Sequence, residues 1–246
     1  MKLKSFSIVT FGKIVAVVFA LSLLFSLSAS AELVPPAPTS ADEFVGELNP
    51  ARDYLTVVNY AHPYEFGGYY DQLLQADLVP LANIYGETEH LERAASLAFS
   101  ELQIALKDEG MDVWLFSGYR TYDDQQEVYD YYGNLEGWAE TNKVLEPGYT
   151  EHHTGLLLNV VILYPDETGE EVWHTETAER QATIPYFRLL HETLADYGFI
   201  DRYPPNKEAI TGIPSEPYEI RFVGSSATAH EIMDNDLTLE EYVNSR

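Results

Sequence analysis

Pro147-Gly148-Tyr149-Thr150-Glu151-His152-His153-Thr154-Gly155-Leu156 runs straight into Leu157-Leu158-Asn159-Val160-Val161-Ile162-Leu163. A Pro-Gly turn, a dense polar cluster and then an apolar run predict a buried strand over Leu156–Leu163, with titratable side chains at its entrance. One residue breaks the run. Asn159 sets an amide among Leu, Val and Ile, where it must be hydrogen-bonded or ligated, or else cost stability. The plainer alternative is that Asn159 caps a local turn and that His152 and His153 lie on the surface. Metal sites draw on His, Asp, Glu or Cys, so one His and one Asn do not make one by spacing alone.

Upstream, Val113–Phe116 reads as a second buried strand that breaks at Ser117-Gly118, with a helix over Tyr122–Tyr132 behind it. Arg120, between the two, suits a bidentate grip on a carboxylate; a structural salt bridge is the alternative. Glu87–Lys107 carries Leu91, Ala94, Ala95, Leu97, Ala98, Leu102 and Leu106 at helical spacing before Gly110, and Tyr54–Val58 is a short strand-like run. Downstream, Ile184–Tyr197 predicts a helix with Pro185 in its first turn and Gly198 as its stop. Tyr218–Val223 predicts a last strand, and Leu239–Val243 a short acidic helix. On that strand Glu219 and Arg221 share one face, so Glu216 and Glu219 meet at its entrance. Close carboxylates raise one pKa, which suits acid–base chemistry, unless the pair is only a solvated acidic rim. Elements interspersed in this way predict an α+β fold: one domain over 51–246, with a mainly antiparallel sheet flanked by helices.

Composition excludes several functions. There are 14 Lys and Arg against 40 Asp and Glu in 246 residues, a net charge of -26. Nucleic acids and anionic lipids need basic patches and are not expected partners. The absence of cysteine rules out disulfides, thiolate metal sites and a thiol nucleophile. At 46% hydrophobic and 13% aromatic the chain can fill a core. Lys2, Lys4 and Lys13 precede the apolar run Ile14–Leu27 and the small trio Ala29-Ser30-Ala31. That order predicts a secretory signal over 1–31, a Pro-rich linker over 32–50, and a bacterial secreted or cell-surface protein with no stable membrane insertion after cleavage. An uncleaved anchor is the alternative.

Four ordered motifs carry a resemblance: Ser117-Gly118-Tyr119-Arg120-Thr121-Tyr122 with Gln125; Pro147 to Leu156; Tyr197-Gly198-Phe199-Ile200-Asp201-Arg202-Tyr203-Pro204; and Thr211-Gly212 with Glu216-Pro217-Tyr218-Glu219-Ile220-Arg221-Phe222-Val223-Gly224. Together they resemble the VanY-like D-alanyl-D-alanine carboxypeptidases. The resemblance implies a zinc peptidase fold that acts on peptidoglycan stem peptides. By position it makes His152 a metal ligand, Glu216 the general base and Arg120 the oxyanion stabiliser. Ser117, Gln125 and Tyr218 then shape the substrate pocket.

The remaining ligand positions depart from the family pattern. Asn159 stands where the family has Asp, Glu219 where it has His, and Tyr218 where it has Trp. The formal ligand charge is unchanged, but a good imidazole ligand is lost and a poor amide is gained. Such a set would hold zinc weakly, or suit a harder ion such as Mn²⁺ or Ca²⁺, or no metal at all. His153 could substitute as a ligand only if neighbouring side chains converged, against strand geometry. Three readings follow: a pseudoenzyme that binds stem peptides, an active carboxypeptidase with a non-standard metal site, and a structural or partner-binding surface protein.

Overall fold

A computed structural model describes residues 48–133, 144–165, 171–174 and 185–246. The predicted signal at 1–31 and most of the linker lie outside the described residues. The first elements are helix α1 (Tyr69–Asp77) and a hairpin, β1 (Leu78–Ala82) with β2 (Thr88–Glu92), followed by helix α2 (Arg93–Asp108). The main sheet takes β3 (Asp112–Ser117), β4 (Leu157–Pro165), β7 (Glu219–Phe222) and β6 (Phe199–Asp201) in that order. A further strand, β5 (Glu171–His174), pairs with the far half of β4, and every pairing is antiparallel. The remaining helices are α3 (Tyr122–Val128), α4 (Pro185–Thr193), α5 (Glu208–Thr211), α6 (Ser226–Met233) and α7 (Leu239–Asn244). The α+β class with an antiparallel sheet is as the sequence predicts.

Strand β4 is the spine of the sheet. Its alternate residues Leu158, Val160 and Ile162 face a core shared with Ala94, Ala98, Phe99, Leu102 and Leu106 of α2 and with Ile220 and Phe222 of β7. Period-2 alternation in the strand thus meets i, i+4 spacing in the helix. Leu157 and Val161 are buried as well, so β4 is covered on both faces, which explains its nearly unbroken apolar run. Asn159 lies on the Leu157 face, away from α2.

Two sequence expectations change. Glu87–Lys107 is not one helix, because Thr88–Glu92 is extended and pairs with β1, Leu91 lying opposite Val79. Helix α2 starts at Arg93, where the Glu92 side chain accepts from Ala95 N at 3.0 Å. A carboxylate at the N-cap ends the strand and opens the helix in one step. Tyr54–Val58 is no strand either. Side chains bond its backbone instead of a ladder: Val58 N donates to Glu151 Oε1 at 3.3 Å, and Thr56 O accepts from Arg221 Nη2 at 3.0 Å.

Those two bonds belong to a buried ion network. Glu151 has no exposed surface and sits between Arg202 (Nη2 to Oε1, 2.8 Å) and Arg221 (Nε to Oε2, 2.9 Å). Arg202 continues to Glu240 on α7 through bonds of 3.1 and 2.7 Å. Burial pushes the Glu151 carboxyl up, but the two guanidiniums more than reverse this and leave it below the ordinary value of 4.5. Two Arg and two Glu balance in charge, and every carboxylate oxygen in the network has a donor. Removing one partner strands the others. Glu151→Ala is therefore expected to cost about 3–5 kcal/mol in urea unfolding. A loss below about 1 kcal/mol would show that the network behaves like a solvated surface pair.

Candidate functional site

The polar cluster ahead of β4 folds as one turn of 3₁₀ helix, Glu151–Thr154. Thr150 starts it by accepting from His152 N at 3.3 Å, and Gly155 ends it at φ 68°, where a side chain would be strained and a Cβ would meet Glu92 N at 3.1 Å. The turn aims successive residues in different directions. Glu151 goes into the ion network, and His152 goes under the β3–α3 loop.

His152 is 2% exposed, and its Nδ1 donates to Gly118 O at 2.6 Å. With the proton on Nδ1, Nε2 carries the lone pair; it is buried and makes no hydrogen bond. Burial first, then the Arg120 charge, holds the ring well below the usual 6.5, so it is neutral. Gly118 lets its own loop pack against β2, since a Cβ there would lie 2.5 Å from His90 O. His153 has both nitrogens spent: Nδ1 donates to Arg120 O at 2.7 Å and Nε2 accepts from Gly148 N at 2.9 Å. Burial lowers its pKa to about 4. Neither histidine is a surface residue. His153 braces the backbone of Arg120 and has no lone pair left for a ligand.

Arg120 is held from two sides, Nε on Ser117 Oγ at 3.1 Å and Nη1 on Gln125 Oε1 at 3.0 Å. Gln125, itself 1% exposed, is fixed by donating to Leu145 O at 2.6 Å. Ser117 and Gln125 therefore orient the guanidinium. A bulge in β3 brings Ser117 into place: Leu115 pairs with Val160, yet Ser117 pairs with Asn159, which leaves Phe116 as the extra residue. Asn159 in turn pairs with Glu219. Ser117, Asn159 and Glu219 thus form one row across three strands, and Asn159 caps no turn.

Beside this row lies a cavity of about 300 Å³. Arg120, Gln125, His152, Asn159, Glu216, Tyr218 and Glu219 line it, against apolar walls from Phe116, Val128, Leu145, Tyr203 and Ile213. The structure thus brings together the residues that sequence reading selected, except that Ser117 acts on Arg120 from outside the wall. Sequence reading missed the walls, although Tyr203 and Ile213 lie within or next to its motifs. Glu216 is 4% exposed, so the two glutamates are no solvated rim. Burial, then the charge of Glu216 and a hydrogen bond to it, raises the Tyr218 hydroxyl strongly.

The Glu219 carboxylate lies 3.7 Å from His152 Nε2. Asn159 Oδ1 is buried there without a hydrogen-bond partner. One imidazole, one amide oxygen and one carboxylate face each other, and among the described residues no three His, Asp or Glu side chains are placed to hold a metal ion. Zinc in a hydrolytic site takes three protein ligands from imidazole, carboxylate and thiolate. This donor set does not fit it.

Burial moves the Glu219 carboxyl from 4.5 up to about 7, against the opposing pull of Arg120 and a hydrogen bond with Asn159. Between those values the folded chain keeps a proton that the unfolded chain has released. The stability contributed by Glu219 therefore falls as pH rises through the window. Thermal melts of the parent chain and Glu219→Gln should diverge from pH 5 to pH 7, with the variant gaining at the upper end. Parallel curves would mean that Glu219 ionises as it does in water.

The sequence matches this arrangement to known proteins. Residues 88–225 fit the family described as VanY, D-alanyl-D-alanine carboxypeptidase. The putative carboxypeptidase YodJ of Bacillus subtilis is 35% identical over 157 residues, which are 63% of this chain and 54% of that protein. The chain spans about half the length of the curated relatives it matches. Among solved structures, the LdcB LD-carboxypeptidase is 32% identical with a TM-score of 0.60, covering 78% of this chain and 86% of its own. VanYB in complex with D-alanine-D-alanine is 28% identical with a TM-score of 0.58, covering 78% and 98%. A match that takes in more than half of the sequence, including the turn, strands and loops that build the cavity, places this chain in the VanY D-alanyl-D-alanine carboxypeptidase family.

Proposed function

We propose that this chain is an exported peptide-binding member of the family, which holds the D-alanyl-D-alanine end of peptidoglycan stem peptides without cutting it. One observation carries the reading: His152 is the single imidazole lining the cavity, and among the described residues no three His, Asp or Glu side chains are placed to hold a metal ion; by the resemblance, Asn159 and Glu219 take the second and third ligand positions. The means of gripping a peptide are present. Arg120, preset by Ser117 and Gln125, offers a charged donor to a carbonyl or carboxylate, and Leu145 and Ile213 offer apolar surface to small side chains. The lysine, apolar and small-residue order of 1–31 supports export to the cell surface.

A second reading, an active carboxypeptidase with an oxygen-rich metal site, draws support from Glu216, which lines the same cavity as Arg120 and His152. Incubation with stem pentapeptide and separate additions of Zn²⁺, Mn²⁺ and Ca²⁺, read by mass spectrometry, separates the two. The expected outcome is no release of terminal alanine with any metal, together with peptide binding that Arg120→Ala weakens about tenfold or more. Metal-dependent release that Glu216→Gln abolishes would establish the second reading instead. Binding that ignores Arg120→Ala would place the ligand elsewhere. Restoring the family ligands with Asn159→Asp and Glu219→His is expected to raise zinc affinity by on the order of a hundredfold or more, measured by competition with a chelator dye.

A further inference from the structure

Two buried acceptors and a carboxylate face one point of the cavity, and the one donor among them, the Asn159 amide N–H, is spent on Glu219. His152 Nε2 presents a lone pair because its other nitrogen donates to Gly118 O at 2.6 Å. Asn159 Oδ1 is buried beside it, and neither atom has a hydrogen-bond partner. The Glu219 carboxylate closes the group, 3.7 Å from Nε2. The three come from the 3₁₀ turn, β4 and β7, which the ion network and the strand register hold rigidly. Buried acceptors left unpaired are costly, and lone pairs set against each other repel. The geometry asks for a partner that is rich in donors and positively charged.

The charge of Arg120 reaches Glu219 and His152, but no group of the chain donates a hydrogen bond to His152 Nε2 or Asn159 Oδ1. The Nε and Nη1 of Arg120 are turned to Ser117 and Gln125, and no lysine lines the cavity among the described residues. Water brings only two donors and no charge. A divalent metal finds one imidazole, one carboxylate and a weak amide, one good ligand short of a hydrolytic zinc site. A primary ammonium has three N–H donors to set against three acceptors, and its positive charge favours the ionised form of the Glu219 carboxyl. The cavity also has apolar walls, Leu145 and Ile213 among them, and burial strengthens the attraction of opposite charges.

We infer that the locus between His152, Asn159 and Glu219 binds a primary ammonium group of a peptide ligand, in the place where the family pattern would put a metal. That the ligand is a peptide rests on the reading above. The acceptor geometry does not. The amine can come from the side chain of a dibasic residue or from a free N-terminus.

The first test uses methylammonium and tetramethylammonium, which share a charge but differ in N–H donors. Long-range ¹H–¹⁵N spectra of the ¹⁵N-histidine protein follow His152 Nε2, assigned by its loss in His152→Gln. Methylammonium is expected to move that signal saturably and tetramethylammonium to leave it in place. Glu219→Gln should weaken methylammonium about tenfold or more without unfolding the protein. Equal effects of the two ions, no effect of either, or displacement of methylammonium by equimolar Zn²⁺ would overturn the inference.

The second test measures binding of Lys-D-Ala-D-Ala with both amines free, with either one acetylated, and with both acetylated. The doubly acetylated peptide should bind about tenfold more weakly than the free one, and the singly acetylated form that keeps its affinity identifies the source of the amine. Equal binding of all four would overturn the ammonium site and leave the peptide groove standing. If none binds while methylammonium still moves the His152 signal, the groove reading falls and the ammonium site stands.

Discussion

The Glu151 carboxylate, fully buried between Arg202 and Arg221, is the interaction on which the rest of the site depends. It belongs to the same short turn as His152, so the ion network fixes where that turn sits. Arg221 lies two residues beyond Glu219 on β7, and Arg202 N donates to Glu219 O at 3.1 Å. Each partner of Glu151 therefore also positions one wall of the cavity. Ion pairs this deep add little net stability over an apolar core, because desolvation offsets the attraction. They add register: no alternative packing of these strands can leave the two guanidiniums without the carboxylate.

Asn159 and Glu219 change the chemistry of the cavity without disturbing that frame. The strand pairings Ser117–Asn159 and Asn159–Glu219 are made by backbone and accept any side chain. The tautomer of His152 is set by Gly118 O and does not depend on what lies beyond Nε2. Scaffold and chemistry are thus separable here.

Sequence legibility followed the same division. Leu156–Leu163 was readable as buried because both of its faces are apolar, and α2 because Ala94, Ala98, Leu102 and Leu106 repeat at helical spacing. The start of α2 was not readable, since Leu91 suits the end of a strand as well as a first helical turn. Tyr54–Val58 has strand composition, yet its backbone partners are the side chains of Glu151 and Arg221, distant in sequence. Spacing could not show which histidine faces the cavity, because a 3₁₀ turn, not a strand, sets the direction of each ring. Nor could it show the burial of Glu216, which depends on the walls of the folded cavity.

The ion network also has a temporal meaning. The bond from Arg221 to Thr56 O spans 165 residues, that from Val58 to Glu151 spans 93, and Glu240 on α7 closes the chain of contacts. Contacts so distant in sequence carry a large loop-closure entropy and form slowly. Neither His152 nor Glu219 can settle until residues from both flanks have met in the core. The cavity is therefore a late product of folding, and a chain emerging from a ribosome carries no settled site until Glu240 has followed Arg202 and Arg221 out.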